Sequence, residues 1–533
     1  MRRFLILLLH MILLVAAVLL AARFVVGSFR TAFVIVNSPA NAAGTVAVSF
    51  LLLTLTANID KKTGSGNLRV NQWVILASLT LIMAAAFWPN LGSAFVYDDY
   101  THILQTSHAT WRILADAFRR EPGGHGLFFR PVAFISYWLD YQWAGPVAAR
   151  WHAWSLAVDT ANVCLLYLLT TRLGLRRMAA TGAALVFALH GSRAETVAWS
   201  DARSDLLATL FCLIVLLAVL EYCRGGRKAF FVPMLLCAML GVYTKESAFC
   251  LPLLPLTLLP FLHPGARRRA VIASGTLALG CALLFAYRWW ALGGIGGYAD
   301  RTGVSAVWHP SPLHSCEALC FRQWAYLFFP VNWVAPMEWW LRAAAVVFLG
   351  ALIVCAGRSG ASRLRLLAGI AFLLAADLPV QHLLMFQTDF AGARVLYLPV
   401  AGLAIFWGLL LEGIAQPWLK WATAAALVVF NLAALEHNLR PWRTTPEAAV
   451  RVCRALGSQM AHDPRPVVLS DLPDRKDGVY FLGNGFPECV EMNSGQPMGR
   501  VFVVGRSPAE PPVHAREFVW DAGPNRVEER HQK

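Results

Sequence analysis

The sequence predicts an all-α polytopic membrane protein of about 13 transmembrane helices, followed by a small C-terminal α/β extramembrane domain. Three observations carry that expectation. First, 57% of the 533 residues are hydrophobic and 14% charged, with a mean hydropathy of +0.53, whereas water-soluble chains are roughly 45–50% apolar and about 25% charged. Second, the apolar residues gather into runs long enough to cross a bilayer at roughly 20 residues per helix. Third, the formal charge of +15, from 46 Lys+Arg against 31 Asp+Glu, sits mainly in every second loop. This composition excludes a collagen, a disulfide scaffold, a disordered chain and a protein held by a single anchor.

Taken in order, the apolar runs lie at 4–27, 31–56, 71–91, 151–172, 177–190, 204–222, 229–244, 247–263, 270–292, 341–357, 364–382, 395–415 and 418–436. The first is too long, and too closely followed by the second, for a cleaved signal peptide. Pro252, Pro255 and Pro260 make 247–263 the least regular of the set. Basic clusters fall between alternate runs: Arg2 and Arg3; Lys61, Lys62 and Arg69; Arg172, Arg176 and Arg177; Arg224, Arg227 and Lys228; Arg267 to Arg269; Arg358, Arg363 and Arg365; Lys420. The positive-inside rule puts these loops in the cytoplasm. The expected setting is a bacterial inner membrane, N-terminus cytoplasmic and C-terminus periplasmic. The positive charge is then a loop signature, and nucleic acid is not an expected partner. Most cysteines, among them Cys164, Cys212, Cys237, Cys250, Cys281 and Cys355, lie in apolar runs as small hydrophobes.

The remaining loops are long. Residues 92–150 carry aromatic, helix-like stretches near 111–120 and 131–143; 293–340 and 383–394 form two further outer loops. We therefore divide the chain into a transmembrane part, 1–436, and a small periplasmic domain, 437–533, whose apolar runs alternate with Asp-Gly, Gly-Asn and Pro-Pro turn signals. GNGFPE (483–488) reads as a turn in preference to a binding loop. Cys453 and Cys489 could pair in an oxidising compartment, although their spacing does not demand it.

The chemistry-bearing residues lie at the run ends. Asp98 and Asp99 follow the third run, and paired carboxylates suit general-base work or a divalent cation. A solvated loop start is the plain alternative. His102 would complete a cation set with Asp98 and Asp99, though a single histidine is more often just hydrogen-bonded. No other cofactor is expected. HGSRAETVAWSDARSD, with His190, Arg193, Glu195, Asp201, Arg203 and Asp205, is too polar and too long for a simple turn. Lys245 and Glu246 either neutralise each other or free Lys245 for an anionic ligand. Arg394 could hold a phosphate bidentately or merely snorkel. On the derived topology Asp98, Asp99, Arg130, His190, Glu195, Arg203, Lys245, Glu246 and Arg394 share one membrane face, which fits group transfer from a phosphate leaving group. No Walker A, HExxH or Rossmann glycine pattern is present.

FVYDDYTHI (95–103), FRPVAFISYWLD (129–140), WH (151–152), ALHGSRAETVAWSDARSDLLATLF (188–211), YTKES (243–247) and ARVLYLP (393–399), in this order, resemble the membrane-embedded glycosyltransferases of the GT-C superfamily. Within it the chain is similar to relatives of the tetratricopeptide-repeat O-mannosyltransferases. The resemblance implies a GT-C-like fold and an inverting glycosyltransferase (hexosyltransferase). Its donor would be a polyprenyl-phosphate-linked sugar; its acceptor would be a surface glycan, a lipid-linked saccharide or a protein. It implies that Asp98 or Asp99 is the general base or holds the acceptor, that Arg130, Lys245 and Arg394 neutralise the lipid phosphate, and that His190, Glu195, Arg203, Asp205 and Glu246 shape the site. The chain departs from that pattern at Ser155, Asp159, Gly191, Ser192 and Ala393, and 437–533 stands in place of the repeats. The rival class is a transporter or flippase of a lipid-linked saccharide.

Overall fold

The computed structural model describes residues 68–120, 128–297, 312–332, 339–357, 362–383, 389–505, 511–512, 514–521 and 526–530. The runs expected at 4–27 and 31–56 lie outside these described residues. Seven helices among them are long and apolar enough to cross a membrane: Gln72–Asn90, Ala148–Arg172, Arg203–Gly225, Pro264–Leu292, Arg363–Gln381, Ala393–Gly413 and Pro417–His462. Three shorter apolar helices, Arg177–Leu189, Lys228–Val242 and Arg342–Leu352, accompany them. The expected count of about 13 spans is therefore not reached among the described residues.

One departure has a clear cause. The run at 247–263 is no regular α-helix but a chain of 3₁₀ turns, Glu246–Cys250 and Leu259–Phe261, around a four-residue helix, Leu254–Thr257. Proline lacks the N–H that the α-helical ladder needs, and three prolines in nine residues break the ladder repeatedly. The 3₁₀ rise of about 2 Å per residue still lets the segment cover most of a bilayer's thickness. Its two ends bear this out, since Glu246 meets Arg130 and Arg288 while Phe261 lies under Arg365.

The bundle has two chemically distinct ends. At one, Arg172 pairs with Glu221, Arg224 donates to the Arg172 carbonyl at 2.6 Å, Arg269 donates to the Cys223 carbonyl at 2.9 Å, and Arg176 approaches Glu412. Three of the basic loops thus converge there. The other end gathers the acidic pair, Arg130, the 190–205 segment, Lys245 and Arg394. Residues 178–200 are buried without a break. Close helix approach depends on small residues: a side chain on Gly402 would meet the Leu373 backbone at 2.5 Å and the Gly369 carbonyl at 2.8 Å.

The last helix, Pro417–His462, is 46 residues long. At 1.5 Å per residue it measures about 70 Å, more than twice the ~30 Å hydrocarbon core, so its second half stands clear of the bilayer. It runs without a break across residues 436 and 437. Beyond it, β1 (Val467–Ser470), β4 (Val501–Val503), β5 (Arg516–Asp521) and β6 (Arg526–Glu529) form a sheet in the order β4-β1-β5-β6. β1 runs parallel to β4 and β5, and β6 is antiparallel to β5. β2 (Arg475–Lys476) and β3 (Val479–Tyr480) form a separate hairpin closed by Asp477-Gly478. Both turn residues have positive φ, +53° and +83°, as a two-residue hairpin turn requires. Cys453 and Cys489 are disulfide-bonded. The C-terminal residues Leu456, Val467, Phe486 and Phe518 share one apolar core with Phe95, Tyr100 and Tyr137 of the 92–150 loop.

Inside the bundle Arg193, wholly buried, pairs with Asp159, which also accepts from the Tyr397 hydroxyl. Removing one member of a buried pair strands the other charge at about 3–5 kcal/mol, whereas replacing both with apolar groups is often close to neutral. Arg193→Met should therefore lower thermal stability in detergent far more than Arg193→Met combined with Asp159→Leu. Equal losses in the two variants would remove the ion pair as the cause.

Candidate active site

Asp98 and Asp99 open the helix Asp98–Ser107, where unbonded N–H groups and the helix dipole favour carboxylates. Tyr97 just before them has φ +56°, a region a tyrosine seldom occupies. The two carboxyls have different surroundings. Asp99 is 1% exposed, and its two oxygens accept from the N–H groups of Val96 at 3.1 Å and Asp201 at 2.9 Å. It ties the first outer loop to the 190–205 segment. Asp98 is half-buried and lies among Asp201, His102, Arg394 and the Asn484 amide.

Burial raises Asp98 to about 7; the neighbouring Asp201 adds to the rise, while His102, Asn484 and Arg394 oppose it. Burial likewise carries Asp99 to about 8, against its two backbone bonds. His102 Nε2 lies 2.7 Å from Asp201 Oδ1, with its ring stacked on Tyr137 at 4.7 Å. Burial lowers His102, but the bond and charge of Asp201 outweigh it and raise the imidazole above its usual range. Burial would raise Asp201; its bond to His102 holds it below the usual carboxylate range.

The expected cation set of Asp98, Asp99 and His102 is not brought together in this geometry. The imidazole is turned to Asp201 and both Asp99 oxygens face backbone N–H groups. Among the described residues no three His, Cys, Asp or Glu side chains are placed to hold a metal ion.

The three cations expected to meet a phosphate each have an acidic partner. Arg130 donates twice to Glu246, at 3.0 and 2.6 Å, and Arg288 donates to the same carboxylate at 3.1 Å. Burial would raise Glu246, but Arg130 and Arg288 bring it down to about 2. Lys245 pairs with Asp205. The adjacent Lys245 and Glu246 thus do not neutralise each other. Arg394 pairs with Glu195, donates to the Tyr480 hydroxyl at 3.2 Å, and lies beside the rings of Trp199 and Tyr480, 4.9 and 5.4 Å from their centroids. The charges of Arg130 and Arg394 both act on Lys245, so the three cations form one field with the acidic pair beside it.

Other expected residues act as struts. His190 is 1% exposed, with its ring nitrogens on the Leu327 carbonyl at 3.0 Å and the Ser192 hydroxyl at 2.8 Å. Arg203, fully buried, pairs with Asp140 and donates to the Trp151 carbonyl and the Ser155 hydroxyl. Both hold backbone in place and do not contact the acidic pair. Behind Glu195 lies a recess lined by Ser192, Asn332, Asp389, Asn438 and Trp442, with room for little more than a water molecule.

Sequence reasoning gave no role to Arg288, Tyr480 or Asn484, and none of its own to Asp201. Asp201 stood inside a stretch already marked as too polar for a turn. Arg288 lay in an apolar run, where an arginine near the end passes for a snorkelling residue.

No protein-family model matches the chain. A 185-residue stretch is 29% identical to protein O-mannosyl-transferase Tmtc1 of Drosophila melanogaster, covering 32% of this chain and 21% of that protein. A 168-residue stretch is 26% identical to protein O-mannosyl-transferase TMTC3 of Mus musculus, covering 30% and 18%. The chain resembles the protein O-mannosyl-transferases. It spans about a fifth of the length of these relatives. Among solved structures, ArnT from Cupriavidus metallidurans bound to undecaprenyl phosphate superposes with a TM-score of 0.43 at 12% identity, over 84% of this chain and 92% of that one. The apo form of ArnT gives a TM-score of 0.37 at 13% identity.

The raised Asp99 has a consequence for stability. Its carboxyl stays protonated in the fold up to about pH 8, while an unfolded one ionises near 3.8. The folded state therefore binds the extra proton, and stability falls as pH rises between these values. Asp99→Asn should flatten the slope of melting temperature against pH from 5 to 8. An unchanged slope would place the titration elsewhere.

Proposed function

We propose that the protein is an inverting glycosyltransferase that moves a sugar from a polyprenyl-phosphate donor to a hydroxyl acceptor. The observation that carries this reading is the pairing, at one end of the bundle, of a half-buried carboxyl poised near neutrality with a field of paired cations. The motif resemblance and the two O-mannosyl-transferase relatives support the same class.

Asp98 is the better base of the acidic pair. Its carboxyl borders the charged cluster and a value near 7 suits proton transfer at neutral pH, whereas both Asp99 oxygens are engaged by backbone. As the acceptor oxygen attacks the anomeric carbon, its proton passes to Asp98. The bond from that carbon to the phosphate oxygen breaks, and its electron pair leaves with the polyprenyl phosphate. The departing phosphate gains charge, which basic side chains offset. The place best suited to it is beside Arg130 and Arg288, two guanidinium groups that the Glu246 carboxylate draws together. Lys245 and Arg394 extend the field.

The Cys453–Cys489 disulfide supports a periplasmic site, since it belongs to the region packed on the acidic pair and disulfides persist in oxidising compartments. A transporter would set its ionisable residues near the bilayer midplane between paired repeats. Charge gathered at one end favours the transferase.

In membranes supplied with a polyprenyl-phosphate sugar and acceptor, Asp98→Asn should lower transfer by about 10²–10⁴-fold, with a smaller loss for Asp99→Asn. Undiminished transfer in Asp98→Asn would overturn the assignment. Because the base must be ionised to take a proton, wild-type kcat/KM should fall on the acid side with a midpoint near pH 7. Arg288→Met should lower kcat/KM for the donor by about 10²-fold. An alkaline phosphatase fusion after Lys533 should be active and one after Arg365 inactive; the reverse would invert the topology.

A further inference from the structure

We infer that the C-terminal region is a wall of the catalytic centre, in which Asn484 positions Asp98 and Tyr480 positions Arg394. This rests on the transferase reading above and adds two residues to it from a part of the chain to which neither the motifs nor the resemblance assigns a role.

Two glycines bring that wall into contact. A side chain on Gly485, at φ +72°, would meet the Tyr97 carbonyl at 2.2 Å; one on Gly478, at φ +83°, would meet the Asp389 carbonyl at 2.0 Å. Tyr97 precedes Asp98, and Asp389 opens the short loop that leads to Arg394. The 478–485 segment therefore touches both catalytic loops at distances only glycine allows. Around these contacts Asn332 donates to the Asp477 carbonyl at 2.9 Å, Thr101 donates to Glu488 at 3.3 Å, and Arg475 lies 3.8 Å from Asp389. The Tyr480 ring centroid is 4.9 Å from Tyr97 and 4.8 Å from Trp199. Behind the segment, the Cys453–Cys489 disulfide joins the helix Phe486–Ser494 to the long helix that rises from the bundle. The tip is thereby tied to the membrane part as well as pressed against it.

Each contact orients a reacting group. An amide donor on one side of the Asp98 carboxylate occupies lone pairs there and turns the remaining ones toward an acceptor hydroxyl. The groups facing Asp98 are Asp99 and His102 on its own helix, Asp201 and Arg394 from the bundle, and Asn484 from the C-terminal region; Glu488 of that region engages Thr101. Asn484 is the neutral donor among them, so its loss leaves the ionised carboxylate less supported. For Arg394, the Tyr480 hydroxyl and the adjoining rings of Trp199 and Tyr480 hold the guanidinium in place, which a planar fork needs for directed hydrogen bonding.

The test uses the purified full-length chain, a polyprenyl-phosphate sugar and its acceptor. Asn484→Ala should move the acid limb of kcat/KM to higher pH by about one unit, the equivalent of one hydrogen bond. Asn484→Asp should move it further, and Asn484→Ser, which keeps a short donor, less. Tyr480→Phe should lower kcat/KM for the donor by about 10-fold with the acid limb unmoved. If Asp98→Asn is inactive while the Asn484 and Tyr480 variants keep wild-type rates and pH profiles, the inference fails and the transferase reading stands. A uniform loss of rate in every Asn484 variant with an unmoved acid limb would also overturn it, since that is a purely structural effect. Full transfer by Asp98→Asn would overturn the reading beneath it.

Discussion

A charge removed from water must find an opposite charge or a set of hydrogen bonds within reach, and at one end of this bundle that constraint organises the molecule. Arg193 answers Asp159, Arg203 answers Asp140, Lys245 answers Asp205, Arg394 answers Glu195, and Arg130 with Arg288 answers Glu246. Each pair joins segments far apart in sequence, so the ionic contacts also hold the broken and shortened helices of this end in place. Apolar packing does the same work in the rest of the bundle, where Gly402 and Gly369 let two helices touch through their backbones.

These pairs divide into two kinds by depth. Arg193 and Arg203 are wholly buried, and each is also spent on backbone carbonyls, Phe187 and Trp151 respectively. Arg130, with its side chain 28% exposed, and Arg394, with 16%, keep surface available. The deep pairs are scaffold and the shallow ones can exchange part of their bonding with a ligand. In the transferase account the shallow pairs stand ready for the phosphate, and Arg288, itself buried, is joined to Arg130 through the shared Glu246.

Much of the fold was legible because its signals are compositional. Apolar runs at 71–91, 151–172, 204–222, 270–292, 364–382, 395–415 and 418–436 match the seven long apolar helices to within a few residues at most ends, the last continuing to His462. Among the described residues the basic loops around Arg172, Arg224 and Arg269 sort to one end, as their alternation required. Less legible was anything that depends on which residues meet. The 247–263 segment kept its direction but lost its helix to three prolines. Asp98 and Asp99 looked alike in sequence and are told apart by long-range partners, since both Asp99 oxygens are taken by the N–H groups of Val96 and Asp201. His190 and Arg203, expected at the site, turned out to brace backbone, because a buried polar side chain is as readily used for support as for chemistry. Asn484 sat in a stretch that reads as a turn; the turn is real, and the long-range approach of its neighbour Gly485 to Tyr97 is invisible without the fold.

The central claim is that the charged end receives the phosphate of a polyprenyl donor next to Asp98. An experimental structure of the full-length protein with a polyprenyl phosphate bound tests it most directly. The account predicts phosphate density against Arg130 and Arg288, with Asp98 and the anomeric position on the same side of the 478–485 segment. Phosphate held at the end formed by Arg172, Arg224 and Arg269, or away from Asp98 along the lipid-facing surface, would contradict it.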